Sequence, residues 1–292
     1  MQVKRLMWMV LGVLVLLFCL VGAGYSAWVW HYVTVVPFEY NPKVAQSIVL
    51  KSTVQGKELR LLLRFEYDDS YINTSLEKEL VGAGAEKRGT DRLAATTSLG
   101  NYQRKQFYGL MDMSISPVAR ATTADGRLGG KFFTASSSFE TDEPKLAPRL
   151  TFDFVAKTLK IDRRPHRPRL VPPQGTLQAP ITLREGEENY YVTLSVNGAP
   201  PVHLRLDMDE YMLVSSFAKP PSPTLPITLQ FGKQQVNVQN LKAVVWKHYP
   251  YAVEDLPDGH LGLLLFSQYR IVLDYEEKML YLEPPNSSEG GF

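Results

Sequence analysis

Along most of the chain, short apolar runs rich in Val, Leu, Ile and Tyr alternate with polar positions and are punctuated by Gly, Pro, Asn and Asp. Stretches with a 3.6-residue period are scarce. Alternation with a period of two buries one face of a strand, so the pattern predicts a mostly β chain. The N-terminus is the exception. From Leu6 to Phe38 there is no Asp, Glu, Lys or Arg, and "LMWMVLGVLVLLFCLVGAG" is almost wholly apolar, which meets the roughly 20 residues needed to cross a bilayer as a helix. Lys4 and Arg5 ahead of it predict a cytoplasmic N-terminus and an exported remainder, with Trp28, Trp30 and Tyr32 at the far interface. The small residues of "AGYSA" leave a cleaved signal peptide as the alternative. The continuation of the run through "WVWHYVTVV" favours a retained anchor.

Beyond the anchor three correspondences appear twice, in the same order. "STVQGKELRLLLRFEYDDSYINTS" from Ser52 pairs with "LSVNGAPPVHLRLDMDEYMLVSS" from Leu194: a strand, a turn at Gly56 or Gly198, a second strand, a polar turn, then Ile72 or Val214. "DGRLGGKFF" from Asp125 pairs with "DGHLGLLLF" from Asp258. "RLTFDFVAKTLKI" from Arg149 pairs with "RIVLDYEEKMLYL" from Arg270, both hairpins with a charged turn and aligned Asp153 and Asp274. Ordered coincidence of three predicts two homologous lobes.

Between the halves lies "RRPHRPRLVPPQGTLQAP", Arg163 to Pro180, whose five prolines favour an extended chain. It reads as a solvated interlobe connector, its four arginines at most a weak anionic contact. The extra sequence before Asp125, "GAGAEKRGTDRLAATTSLGNYQRK", and the insert "TASSSFETDEPKLAP" read as surface loops. The predicted organisation is an anchor over 1–36, a juxtamembrane linker over 37–46, an N-terminal lobe over 47–162, the connector over 163–180, a C-terminal lobe over 181–284 and a tail over 285–292.

Charge is nearly balanced, 32 basic residues against 30 acidic, without a basic stripe interleaved with aromatics, so the composition speaks against nucleic acid as a partner. The single cysteine, Cys19, lies inside the apolar run, so the exported part has no disulfide and no thiolate site. The five histidines show no ligand spacing, so neither a metal nor a cofactor is expected.

The repeated order resembles the pepsin and retropepsin families of aspartic peptidases, in which each lobe carries an Asp-Thr-Gly loop after a hairpin, a later hydrophobic-hydrophobic-Gly element and a closing hairpin. The match is fullest over Tyr190 to Glu283, through "YYVTLSVNGAPPVHLRLD", "LQFGKQQVNVQNLKAVVW" and "DGHLGLLLFSQYRIVLDYEEKMLYLEP". The resemblance implies an all-β fold of two pepsin-like lobes after an N-terminal transmembrane helix. It also implies a site where two aspartates, one per lobe, share a proton and hold a water.

Here the motif is degenerate. Asp207 falls on the catalytic position, but Met208 stands for the threonine and Asp209 for the glycine. Counting from Gly56 places Arg64 opposite Asp207, and the N-terminal lobe contains no Asp-Thr-Gly. The expectation is a catalytically silent relative, anchored in a membrane with its bulk periplasmic, extracellular or lumenal, that binds a protein or peptide partner or organises a complex. The alternative is an active aspartic endopeptidase using Asp207 with a second acid from Glu66, Asp68 or Asp69. A homodimer pairing two copies of Asp207 is disfavoured because the N-terminal lobe already occupies the pseudo-twofold position.

Overall fold

The structure, a computed structural model, describes residues 29–42, 45–65, 69–133, 147–165, 167–183, 190–196, 198, 200–208, 212–216, 227–232, 234–238, 244–248 and 259–285. Over these residues the chain is all-β, with only short helical pieces such as Glu77–Gly82 and Pro117–Thr122. No helix among the described residues is long and apolar enough to cross a membrane. The apolar run up to residue 28, on which the expected anchor falls, lies outside them.

The strands in the first part are β1 (Val33–Asn41), β2 (Ala45–Val54), β3 (Lys57–Arg64), β4 (Ser70–Asn73), β5 (Glu86–Arg88), β6 (Arg92–Leu99), β7 (Tyr102–Met111), β8 (Gly126–Gly129), β9 (Arg149–Asp153) and β10 (Thr158–Asp162). The second part continues with β11 (Leu177–Leu183), β12 (Tyr190–Val196), β13 (Val202–Asp207), β14 (Met212–Ser216), β15 (Ile227–Phe231), β16 (Gln234–Val238), β17 (Val244–His248), β18 (Gly259–Gly262), β19 (Arg270–Asp274) and β20 (Met279–Glu283).

Local chemistry explains the hairpin that leads to the candidate site. Gln55 and Gly56 both have positive φ, 49° and 82°, the requirement of a tight turn whose twist matches the flanking strands. β3 then reads as consecutive leucines because both its faces are covered. Leu59, Leu61 and Leu63 enter the main core, whereas Leu62 packs with Val49, Met113 and Ala119 beneath the helix Pro117–Thr122. A strand buried on both sides has no polar alternation to show.

Six strands form one sheet in the order β1, β10, β9, β19, β20, β11, all antiparallel. Its central seam joins β9 to β19, with Leu150 opposite Leu273 and Phe152 opposite Ile271, all four fully buried. The closing hairpins on either side of the seam share their backbone detail. Lys157 and Lys278 have φ of 53° and 54°, and their carbonyls accept from Phe38 N–H and Ile181 N–H, each at 2.9 Å.

Several boundaries differ from the sequence expectation. β1 begins at Val33 and buries Val36 and Phe38, so the stretch assigned to the anchor's end and a juxtamembrane linker is a strand paired with β10 and β2. Short polar flanks hid this alternation behind the apolar run that precedes it. The sequence before Asp125 is not loop either: it supplies β5, β6 and β7, with Leu93, Ala94, Ala95, Thr97 and Leu99 buried. Its small and polar composition concealed strands whose turn uses Gly100 at φ 58°. Of the insert "TASSSFETDEPKLAP", residues 134–146 lie outside the described residues.

The Pro/Arg segment is no solvated connector. Arg164 pairs with buried Asp162 at 2.7 Å, and Arg167, its side chain 3% exposed, pairs with Asp274 at 2.6 Å and Glu276 at 3.1 Å. Proline removes backbone donors and holds the segment extended; Arg164 and Arg167 reach down onto the sheet, while Arg169 stays largely exposed. β11 starts at Leu177 within the range assigned to the connector.

Candidate functional site

The site is built by two strand insertions. β18 runs parallel to β13, with Leu206 opposite Leu261 and Asp207 opposite Gly262. It also pairs antiparallel with β14, and so lies between the strand entering and the strand leaving the loop after Asp207. β8 does the same beside the first hairpin: parallel to β3, with Leu63 opposite Leu128 and Arg64 opposite Gly129, and antiparallel to β4. Arg64 and Asp207 therefore hold the same register place, each facing the second glycine of its Gly-x-Leu-Gly strand.

Backbone closeness explains the glycines. A Cβ on Gly126 would lie 2.3 Å from the Tyr71 carbonyl oxygen, and one on Gly130 would lie 3.1 Å from that of Phe65. Gly129 N–H donates to Ser70 Oγ at 3.0 Å, tying the inserted strand to the start of β4. Asp125 bridges the same strands: its Oδ2 accepts from Arg60 N–H at 2.9 Å and its carbonyl accepts from Asn73 N–H at 2.9 Å.

Asp207 is 2% exposed. Its Oδ1 accepts from the N–H of Met208 at 2.6 Å, and Met208 itself is fully buried. Its Oδ2 lies 3.5 Å from His260 Nδ1, which is 3.2 Å from Arg205 Nη2. A guanidinium only donates, so the Arg205 contact is a hydrogen bond in the tautomer of His260 whose Nδ1 accepts. The candidate acid thus sits beside an imidazole that a guanidinium also contacts, next to a buried thioether.

Of the predicted residues, Asp207 and Met208 come together as neighbours in one buried corner, and Arg64 is half-buried at the end of β3. Asp69 is exposed; Glu66, Asp68 and Asp209 lie outside the described residues. Sequence reasoning missed His260 and Arg205, which are opposite each other in the β13–β18 register. The signal was present in "DGHLG": once that element is a strand parallel to "HLRLD", its third residue, His260, must stand beside Arg205. Among the described residues no group of three His, Cys, Asp or Glu side chains could hold a metal ion.

Comparison with protein-family models finds none that matches this sequence. No curated protein matches it either.

Proposed function

We propose that this chain is a two-lobed relative of the aspartic peptidases, tethered outside the cytoplasm by its apolar N-terminus, that binds polypeptides without cleaving them. The observation that supports the reading is the shared register of Arg64 and Asp207 against Gly129 and Gly262. Two homologous lobes would bring these strand ends to equivalent places, and a dyad needs two carboxylates there to share a proton. One of the two places holds a guanidinium, which stays charged at any relevant pH. The other holds a carboxylate followed by a buried thioether where a hydroxyl would steady the loop.

Peptide cleavage by the purified full chain tests the reading. Incubated with a denatured protein from about pH 3 to pH 7, the range over which carboxylate pairs titrate, the chain should release no peptides above background. Acid-dependent cleavage that is blocked by a transition-state inhibitor of aspartic peptidases and abolished by Asp207→Asn would overturn it, and would favour catalysis with an acid from the loop Glu66–Asp69.

Asp207→Asn has a second expected effect. Asparagine can still accept from Met208 N–H, but the charge next to His260 and Arg205 disappears from a buried position. Unfolding in urea should show a loss of about 1–3 kcal/mol. A change below a few tenths of a kcal/mol would mean that Asp207 is not engaged electrostatically with its neighbours.

A further inference from the structure

The closing hairpins β9–β10 and β19–β20 turn in the same way, and the aspartate ending the first strand caps each turn. Asp153 Oδ1 accepts from the N–H groups of Val155 and Ala156 at 3.0 and 2.8 Å. Asp274 Oδ1 accepts from those of Glu276 and Glu277, both at 3.2 Å. Beyond the cap the two differ. Asp274 also accepts from Arg149 Nε and Arg167 Nη2, each at 2.6 Å. Arg167 is delivered by the extended proline-containing segment, which is held by Arg149 Nη2 donating to the Pro168 carbonyl at 3.1 Å and by Arg167 Nη1 donating to that of Ala147 at 2.9 Å.

Asp153 has the same cap and, among the described residues, no cation paired with it. Arg270, which lines the same pocket, directs its Nε to Glu283 Oε2 at 2.6 Å. Asp153 lines a small open pocket whose other walls include Phe154, Ser267, Tyr269, Arg270 and Pro285. Residues 286–292 contain no lysine or arginine.

We propose that this pocket binds an arginine presented by an extended, proline-flanked segment of a partner polypeptide, with Asp153 receiving the guanidinium as Asp274 receives that of Arg167. The chemistry selects arginine over lysine, because a planar fork can donate to a carboxylate through two N–H groups and lie against the rings of Phe154 and Tyr269. Proline selects an extended chain, since a segment already extended loses little conformational freedom on binding. The proposal names a partner class for the polypeptide-binding reading above but uses a different surface. Cleavage activity at Asp207 would overturn that reading and leave this one standing.

The probe is a fluorescent peptide with the sequence of Arg163–Leu170, RRPHRPRL, titrated with the purified full chain in detergent solution while anisotropy is read. Saturable binding with a Kd of about 100 µM or tighter is expected for one charged anchor with modest ring contact. Asp153→Asn, which keeps the turn cap and removes the charge, should weaken binding at least about tenfold, the scale of one charge-assisted pair. Citrulline at the peptide position of Arg167 should do the same with the protein unaltered, and this arm decides the matter if Asp153→Asn fails to fold. Absence of saturation by about 1 mM, or equal affinity for Asp153→Asn or for the citrulline peptide, would overturn the proposal.

Discussion

Replacing Asp274 with asparagine is expected to lower the unfolding free energy by about 3–5 kcal/mol, the usual result of removing one member of a buried ionic group. Asp274 is fully buried and is contacted by two guanidiniums whose side chains are 10% and 3% exposed. Asparagine retains the oxygen that caps the turn at Glu276 and Glu277, so the loss isolates the charge: Arg149 would be left buried without its counterion, and Arg167 would keep only the half-exposed Glu276 at 3.1 Å. Equilibrium unfolding in urea reads the change, and a loss under about 1 kcal/mol would show that the arginines find other acceptors or water.

The same group predicts an acid dependence. Burial is the largest single influence on the Asp274 carboxyl and pushes its pKa up, but the hydrogen bonds and charges of Arg167 and Arg149 together outweigh it and hold the carboxyl below its ordinary 3.8. Asp162 is held low in the same way, with burial opposed by Arg164. A carboxyl with a depressed folded-state pKa contributes stability that is complete above its unfolded value and lost as pH falls through the folded one. The native chain should therefore lose stability below about pH 4, and the difference between it and Asp274→Asn should shrink over that interval.

Gly126→Ala is expected to cost about 3 kcal/mol, at the upper end for overfilling a packed site. The obstacle is contact, not conformation. The added methyl would lie 2.3 Å from the Tyr71 carbonyl oxygen, 3.1 Å from Leu61 Cδ2 and 3.2 Å from Ile72 Cα. Two of those atoms are backbone, so relief requires β8 to separate from β4, and the loop after Arg64 would be displaced with it. Gly82→Ala is the control: a Cβ there meets nothing within 4 Å, so unfolding in urea should show no loss, and a gain of up to about 1 kcal/mol from helix propensity. Equal stabilities for the two alanine variants would contradict the close insertion of β8.

Much of the fold was legible because its signals are local. The turn at Gln55–Gly56 announces itself by composition, the alternation of β12 and β13 gives strands, and the matching "DGRLGG" and "DGHLGL" mark two strands of one kind. β5 to β7 were not legible, because Thr, Ser, Ala and Gln at strand positions resemble loop composition until a neighbouring sheet buries them. The candidate site was legible only as far as chain counting reaches: from the turn glycines it arrives at Arg64 and Asp207. It does not arrive at His260, 53 residues from Asp207, since only strand pairing makes them neighbours.

By itself the sequence determined the β character, the positions of the tight turns, the length of the apolar N-terminal run and the absence of an Asp-Thr-Gly. Each follows from residue type and short-range spacing, which act before any distant contact forms. Tertiary structure alone decided that β8 and β18 enter between connected strands, that Arg167 belongs to Asp274 107 residues away, and that Asp153 has the same cap without a cation among the described residues. The worth of a charge depends on what removes water from it and which opposite charge arrives, and both come from parts of the chain that no local pattern connects.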